Sequence, residues 1–229
     1  MGVTSSSVEE SLDRAEVSVS SGEGLSGTGF WSAVSTVKQN PELVDRYADR
    51  IAEIDERGFR QWALLVVPLW LGTVLMLLAT AGAIALVGWA YFLEGLAAVA
   101  AFYVGFGALL VTTHGLGHLL VGSLVGIRFL YWFMGPPSFP LTGGVKIDYR
   151  TYLRAPARAR AWMHAAGAIT TKIVPFALIG AAIAAELPAW AIWGLAIIGA
   201  AAVLTDVVWS TKKSDWKKFR REMSFAQGS

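Results

Sequence analysis

The chain has 229 residues, a formal net charge of +2 and no cysteine. Apolar and aromatic residues make up 55% of it and charged residues only 16%, whereas soluble domains are typically about 25% charged. This deficit predicts an integral membrane protein whose first partner is the lipid bilayer. The missing cysteines exclude disulfides and thiolate metal sites, and the small net charge argues against a nucleic-acid partner.

The N-terminal part divides into two predicted segments. Residues 1–40 are expected to be a disordered polar tail, because the first 30 are rich in Ser, Gly and Glu and have little to bury. Residues 41–60 predict an amphipathic cytoplasmic helix. Asn40 suits the N-cap and Pro41 the first helical position, and apolar side chains then recur at helical spacing.

Residues 61–210 predict an all-α transmembrane domain. Four apolar stretches are each long enough to cross the bilayer, at about 62–88, 95–121, 161–185 and 188–210. The first could instead hold two short spans broken near Ala81 and Gly82. A fifth span would, however, place basic clusters on both sides of the membrane.

The charge distribution then predicts the topology. With four spans, the basic residues lie on one side and the short loops opposite carry only Glu94 and Glu186. Basic residues favour the cytoplasm, so both termini, the 122–160 loop and the basic 211–229 tail are predicted to be cytoplasmic. We therefore expect a multi-pass protein of the cell (plasma) membrane with an amphipathic helix at each flank of the spans.

Two histidines lie inside the second apolar stretch. His114 and His118 are four residues apart, about one helical turn, so their imidazoles share a face and can bind one metal ion. Ionisable groups at membrane depth are costly and therefore mark candidate functional sites. The pair predicts a metal site. Its alternative is two polar residues hydrogen-bonded between packed helices.

Two further residues are predicted at the same depth. Asp206 lies near the cytoplasmic end of the fourth stretch, and two imidazoles with one carboxylate suit zinc. The alternative for Asp206 is an ion pair with Lys172 or with a basic residue at the interface. His164 opens the third stretch and, like the more deeply placed Lys172, is a candidate fourth ligand or second-shell group.

The 122–160 loop contains a segment unlike a helix. Gly135, Pro136 and Pro137 break the chain, and residues 145–150 alternate apolar and charged, which predicts an exposed strand in a hairpin-like insertion. Gly143, Gly144, Val145, Lys146 and Ile147 are therefore candidates for a strand that holds an extended peptide by edge addition.

Taken together, these features resemble the site-2 protease family of intramembrane zinc metalloproteases over about residues 95–210. The matching features are the His114–His118 pair, residues 140–146, the small residues 165–167 and Asp206. The resemblance implies that His114, His118 and Asp206 hold zinc. It also implies a transmembrane protein as substrate, held by the strand.

The chain departs from that family at the catalytic base. The family has a glutamate directly after the first histidine to activate water, and this chain has Gly115. Loss of a general base typically costs about 10²–10⁴ in rate. No other carboxylate is an obvious substitute, so the catalytic residues stay unassigned and a degenerate or weakly active member is expected.

Two other classes stay open. One is a haem protein that uses His164 and one histidine of the pair as axial ligands from different helices. The other is a structural membrane subunit that binds neither metal nor haem.

Overall fold

A computed structural model of the chain describes residues 5–136, 143–208 and 214–227, except for the side chains of residues 206–208 and 227. The fold is mainly helical with one small sheet. The helices are α1 (Ser5–Ser20), α2 (Phe30–Val37), α3 (Pro41–Trp62), α4 (Leu69–Trp89), α5 (Gly95–Leu124), α6 (Tyr149–Arg154), α7 (Ala157–Ala184), α8 (Ala189–Val208) and α9 (Asp215–Gln227). The strands are β1 (Leu65–Pro68), β2 (Phe129–Met134) and β3 (Gly143–Ile147).

The chain forms two compact units. The first unit contains Met1–Leu69, Gly122–Arg160 and Glu222–Ser229, and the second contains Trp70–Val121 and Ala161–Arg221. The first unit therefore holds α1, α2, α3, α6 and the sheet. The second holds most of the long apolar helices and the start of α9.

Helices α1 and α2 occupy a region for which the sequence predicts disorder. Helix α1 buries one apolar stripe, and Val8, Leu12 and Ala15 in it are fully inaccessible. Helix α2 buries Phe30 and Val37 in the same unit. The stripe has the three- and four-residue spacing of an amphipathic helix, which the polar average of the segment conceals.

Helix α3 begins at Pro41, and the side chain of Asn40 caps it by accepting a hydrogen bond from the backbone N–H of Glu42. The helix continues to Trp62, and the chain then enters β1 at Leu65. The first apolar helix therefore begins at Leu69, which corrects the predicted start of a span at about residue 62. The β-branched pair Val66–Val67 suits a strand.

The sheet has the antiparallel order β1-β2-β3, with Val67 opposite Trp132 and Trp132 opposite Val145. The predicted strand at 145–150 is thus shifted to Gly143–Ile147. Asp148 ends it, because its side chain accepts from the N–H of Arg150 and caps α6. Residues 137–142, which include Pro137 and Pro140, lie outside the described residues.

Within the described residues, three helical segments are long and apolar enough to cross a membrane: Leu69–Phe92, Gly95–Leu124 and Ala157–Ala184. A shorter apolar helix covers Ala189–Thr205. Large apolar side chains on these helices are exposed, for example Trp70, Leu78 and Val111. Because water would not tolerate apolar surface on this scale, the exposed faces are compatible with a membrane protein.

The helices of the second unit approach closely at small residues. A Cβ on Gly105 of α5 would lie 2.7 Å from the carbonyl oxygen of Ala83 on α4. The hydroxyl of Tyr103 donates to the carbonyl of Ala191 on α8 at 2.6 Å. Small residues and interhelical hydrogen bonds are the usual means of helix packing in lipid.

Candidate metal centre

The two histidines predicted from their spacing meet on α5. The ring centroids of His114 and His118 are 4.8 Å apart at an interplanar angle of 89°, and their Nε2 atoms are 3.3 Å apart. The side chain of His114 is 38% exposed and that of His118 is 13% exposed.

A carboxylate from α9 completes a group that we call the triad: His114, His118 and Asp215. Oδ2 of Asp215 lies 3.2 Å from Nε2 of each histidine. Asp215 is the first residue of α9, and Ser214 caps this helix by accepting from the N–H of Lys217.

Aromatic packing holds the first half of α9 in place. The ring of Phe219 stacks on that of Trp216 at 5.1 Å and meets Trp162 of α7 edge-on at 5.6 Å. All three residues belong to the second unit. The carboxylate of Asp215 is therefore positioned by an anchored helix.

The spacing of the three ligand atoms fits a tetrahedral zinc site. With zinc–ligand distances of about 2.0–2.1 Å, tetrahedral geometry separates neighbouring ligand atoms by about 3.3–3.4 Å. The triad shows 3.2, 3.2 and 3.3 Å. No fourth histidine, cysteine or carboxylate joins this cluster among the described residues, which leaves one tetrahedral position for another donor.

Neighbouring groups orient the ligands. Nδ1 of His118 donates to the carbonyl oxygen of Met163 at 2.7 Å, which leaves Nε2 as the ring nitrogen that faces the other two members of the triad. The ammonium of Lys218 donates to Oδ1 of Asp215 at 2.9 Å, which leaves Oδ2 toward the histidines. Such outer contacts fix metal ligands in their binding geometry.

Gly167 of α7 makes room for the ring of His118. A Cβ on Gly167 would overlap Nε2 of His118 and would lie 2.7 Å from both Cδ2 and Cε1 of that ring. On α5, a Cβ on Gly117 would lie 3.2 Å from the carbonyl oxygen of Ala166. Glycines on both helices thus allow α5 and α7 to approach beside the triad.

Burial alone would raise the pKa of Asp215, but hydrogen bonds to His114 and His118 and the nearby Lys218 outweigh it and hold the pKa well below its usual range. The carboxylate is therefore ionised at neutral pH. An ionised oxygen and two imidazole nitrogens form a donor set that zinc accepts.

The other predicted site residues have different surroundings. The ring of His164 is buried, with its centroid 6.4 Å from that of His118, and His164 is absent from the cluster of candidate ligands. Lys172 donates to the carbonyl of Ala168 on its own helix. The side chain of Asp206 lies outside the described residues, so its role as a ligand stays a prediction.

The candidate substrate strand is β3. Gly143, Gly144, Val145, Lys146 and Ile147 all lie in it, and it belongs to the first unit. It pairs with β2 along one side, which makes it an edge of the described sheet. The ammonium of Lys146 is buried and bonds to Asp55, 2.5 Å away, so this side chain serves the interior.

Sequence reasoning missed Asp215. The residue precedes Lys217, Lys218, Arg220 and Arg221, and an acidic residue after Ser214 has an ordinary explanation at a helix start. One signal was available. Asp215 and Glu222 are the only acidic side chains in a strongly basic tail, and the structure gives both of them side-chain partners.

No protein-family model matches the chain, and no curated protein or solved structure shows a significant match to it. The class of the site is therefore defined by its geometry alone. It is a candidate site for a divalent metal ion, with two imidazoles on an apolar helix long enough to cross a membrane and one carboxylate on α9.

Proposed function

We propose that the protein is a zinc-binding membrane protein of site-2-protease-like architecture, with His114, His118 and Asp215 as its zinc ligands. The observation that carries the proposal is the set of three ligand distances, which matches the edges of a zinc tetrahedron. The fourth position is for water or for Asp206, which the sequence predicts as a ligand.

Access to the site supports a role in chemistry more than a purely structural one. His114 is 38% exposed, and three protein ligands with one open position are typical of catalytic zinc, whereas structural sites have four. Zinc in such a site polarises carbonyl groups and lowers the pKa of bound water. A peptide bond in a membrane-embedded substrate is the target that the resemblance implies.

The missing base limits the activity that we propose. Gly115 is buried beside His114 and has no side chain to take a proton from water. We therefore propose a weakly active or degenerate peptidase, with β3 as the strand that holds an extended substrate. The edge of β3 that does not pair with β2 would supply backbone hydrogen bonds.

Metal analysis of matched carboxamide variants tests the zinc site. The full-length protein, purified in a neutral detergent and dialysed, should retain about one zinc per chain. Asp215→Asn should lose it, because an amide is a poor zinc ligand and carries no charge. His118→Ala should lose it too.

Asp206→Asn is the control, because it makes the same chemical change at the position that the sequence favours. Zinc retained by Asp215→Asn and lost by Asp206→Asn would refute Asp215 as the third ligand. A Soret band in the wild-type absorption spectrum without bound zinc would support the haem alternative instead.

A glutamate at position 115 tests the proposed peptidase activity. If only the base is missing, Gly115→Glu should gain cleavage of a transmembrane reporter, whereas Gly115→Gln should not, because its amide cannot accept a proton at neutral pH. Equal inactivity of both variants with zinc bound would refute the missing-base explanation.

For topology we propose α8 as a fourth span, with both termini and the 122–160 region in the cytoplasm and the protein in the plasma membrane. The chain has no cysteine, so single cysteines report sidedness without background. Cysteines at Glu94 and Glu186 should react with an impermeant thiol reagent on intact cells. One at Ser21 should react only after permeabilisation, and the reverse pattern would contradict this orientation.

A further inference from the structure

Helix α9 turns its acidic residues inward and exposes only basic charged residues. Asp215, Phe219 and Glu222 recur at the four- and three-residue spacing of one helical face. The side chains of Asp215 and Glu222 are 16% and 0% exposed. The exposed charged residues of α9 lie on another face at the same kind of spacing, and we call them the basic face: Lys217, Arg220 and Arg221.

Two cations of the basic face are available to a partner outside the protein. Among the described residues, the side chains of Lys217 and Arg220 make no hydrogen bond or ion pair, whereas Lys218 bonds to Asp215. The only acidic side chains from Ser214 to the end of the chain are Asp215 and Glu222, and both already have partners. This side of α9 therefore presents positive charge to its surroundings.

An aromatic contact places α9 beside the first turns of α7. Trp162 follows Arg160 by two residues, and from Ala161 to Ala185 the only formally charged side chain is that of Lys172. Trp162 is 53% exposed, and its ring meets that of Phe219 edge-on at 5.6 Å. Tryptophan at the boundary between basic residues and an apolar helix is typical of the headgroup layer of a bilayer. The contact therefore favours a position of α9 at the level of the headgroups.

The sign of the charge selects the kind of lipid. Basic residues beside a membrane helix are attracted by anionic headgroups, and aromatic residues next to them are typical of helices that lie in this layer. Trp216 and Phe219 stack on each other at 5.1 Å between the inner face and the basic face of α9. The long side chains of Lys217 and Arg220 can extend from there to the phosphates of neighbouring lipids.

We propose that the basic face binds the headgroups of anionic phospholipids, and that this contact holds α9 where Asp215 completes the triad. The second part rests on the proposed metal site. Asp215 is the first residue of α9, and Arg220 lies five residues further along the same helix, about 7.5 Å. An attraction on the outer side of this short stretch therefore restrains the carboxylate on its inner side.

Lipid selectivity tests the first part. The full-length protein is reconstituted in phosphatidylcholine vesicles that contain a trace of phosphatidylglycerol or phosphatidylcholine with a nitroxide on its acyl chain. The motionally restricted fraction of the label reports lipid at the protein surface. We expect a larger restricted fraction for phosphatidylglycerol, and this excess should shrink at high salt, because salt screens exposed charges. Equal fractions for the two lipids would overturn the proposal.

A double variant locates the selectivity. Lys217→Gln combined with Arg220→Gln removes two cations of the basic face and should lose most of the excess of phosphatidylglycerol. The control is Arg14→Gln combined with Arg46→Gln, which removes the same net charge at side chains that are 53% and 58% exposed in the first unit. It should keep the excess. Retention in the first variant, or equal loss in both, would overturn the assignment to α9.

Zinc affinity in the same vesicles tests the second part, by competition with a fluorescent chelator. Replacing part of the phosphatidylcholine by phosphatidylglycerol should raise the affinity of the wild type about fivefold or more beyond the gain of the Lys217→Gln and Arg220→Gln variant, as for two coupled sites. Attraction of zinc to the anionic membrane itself is common to both proteins. An equal gain would overturn the restraint on Asp215 while the spin-label result stands. No zinc binding in any of the proteins would instead refute the metal site, and the restraint with it.

Discussion

The two units differ in what they bury and what they expose. In the first unit, apolar side chains such as Leu12 and Ile51 are inaccessible, and the buried charges of Asp55, Lys146 and Glu222 are paired. In the second unit, large apolar side chains such as Trp70 and Leu78 face outward. The first unit follows the burial pattern of proteins in water, and the outward apolar side chains of the second unit are compatible with a hydrocarbon environment.

The difference also extends to the two acidic residues of the tail, Asp215 and Glu222. In the second unit, Asp215 contacts the two imidazoles of the triad, a donor set that suits a metal ion. In the first unit, Glu222 bonds to Lys38 and Arg160 in a group that we call the charge cluster, and all three side chains are at most 5% exposed.

The largest effect that we expect comes from breaking the charge cluster. Glu222→Gln removes the negative charge that Lys38 and Arg160 share, and the free energy of unfolding should fall by about 3–5 kcal/mol. Denaturant unfolding in detergent measures this. Adding Lys38→Met should recover part of the loss, and strictly additive losses would contradict the cluster.

A charged substitution on the exposed face of α4 tests whether that face lies in the hydrocarbon of a membrane. Leu78 is 64% exposed near the middle of Leu69–Phe92, and a lysine at the centre of a membrane helix costs about 2.5–3.5 kcal/mol. We expect Leu78→Lys to reduce membrane integration, measured by carbonate extraction. Val17→Lys, at a 69% exposed position on α1, should change stability by less than about 0.5 kcal/mol. Equal effects of Leu78→Lys and Val17→Lys would argue against different surroundings for the two units.

A methyl group at Gly167 tests how closely the triad depends on helix packing. Gly167→Ala places a Cβ against the ring of His118, so zinc affinity should fall about 10–100-fold, as when an outer contact of a ligand is removed. Competition with a fluorescent zinc chelator measures this. Gly180→Ala is the control on the same helix, because a Cβ there meets nothing within 4 Å. Loss of zinc from both variants would point to a general effect on α7.

Acid should weaken the charge cluster by protonating Glu222. The lowered pKa of Glu222 means that its contribution to stability is present above the usual value of 4.5 and is lost as pH falls through the folded value. The difference in unfolding free energy between wild type and Glu222→Gln should therefore shrink below about pH 4.5. A difference that grows in acid would show that the carboxylate is not ionised.

The smallest effect is expected at the surface of the first unit. Hydrogen bonding to Arg154 lowers the pKa of Asp49, but the pair is roughly half exposed. Solvent screening should limit the cost of Asp49→Asn to less than about 1 kcal/mol in thermal unfolding. A loss as large as that of Glu222→Gln would contradict the distinction between buried and exposed pairs.

The sequence predicted part of this architecture for clear physical reasons. Long apolar stretches predict helices that can cross a membrane, and the structure has three of them. The Asn40–Pro41 start of α3 follows from capping chemistry. The sequence did not predict the helices at the N-terminus, because the four buried apolar residues of α1 lie in a segment whose average composition is polar.

The amino-acid sequence by itself determined the apolar spans and the pairing of His114 with His118, because hydropathy and helical periodicity are local properties. Only the tertiary structure brought Asp215, 97 residues beyond His118, to the same point, and only it placed Glu222 between Lys38 and Arg160. Contacts between distant segments depend on how helices pack, and neither spacing nor composition encodes that packing in a form that can be read along the chain.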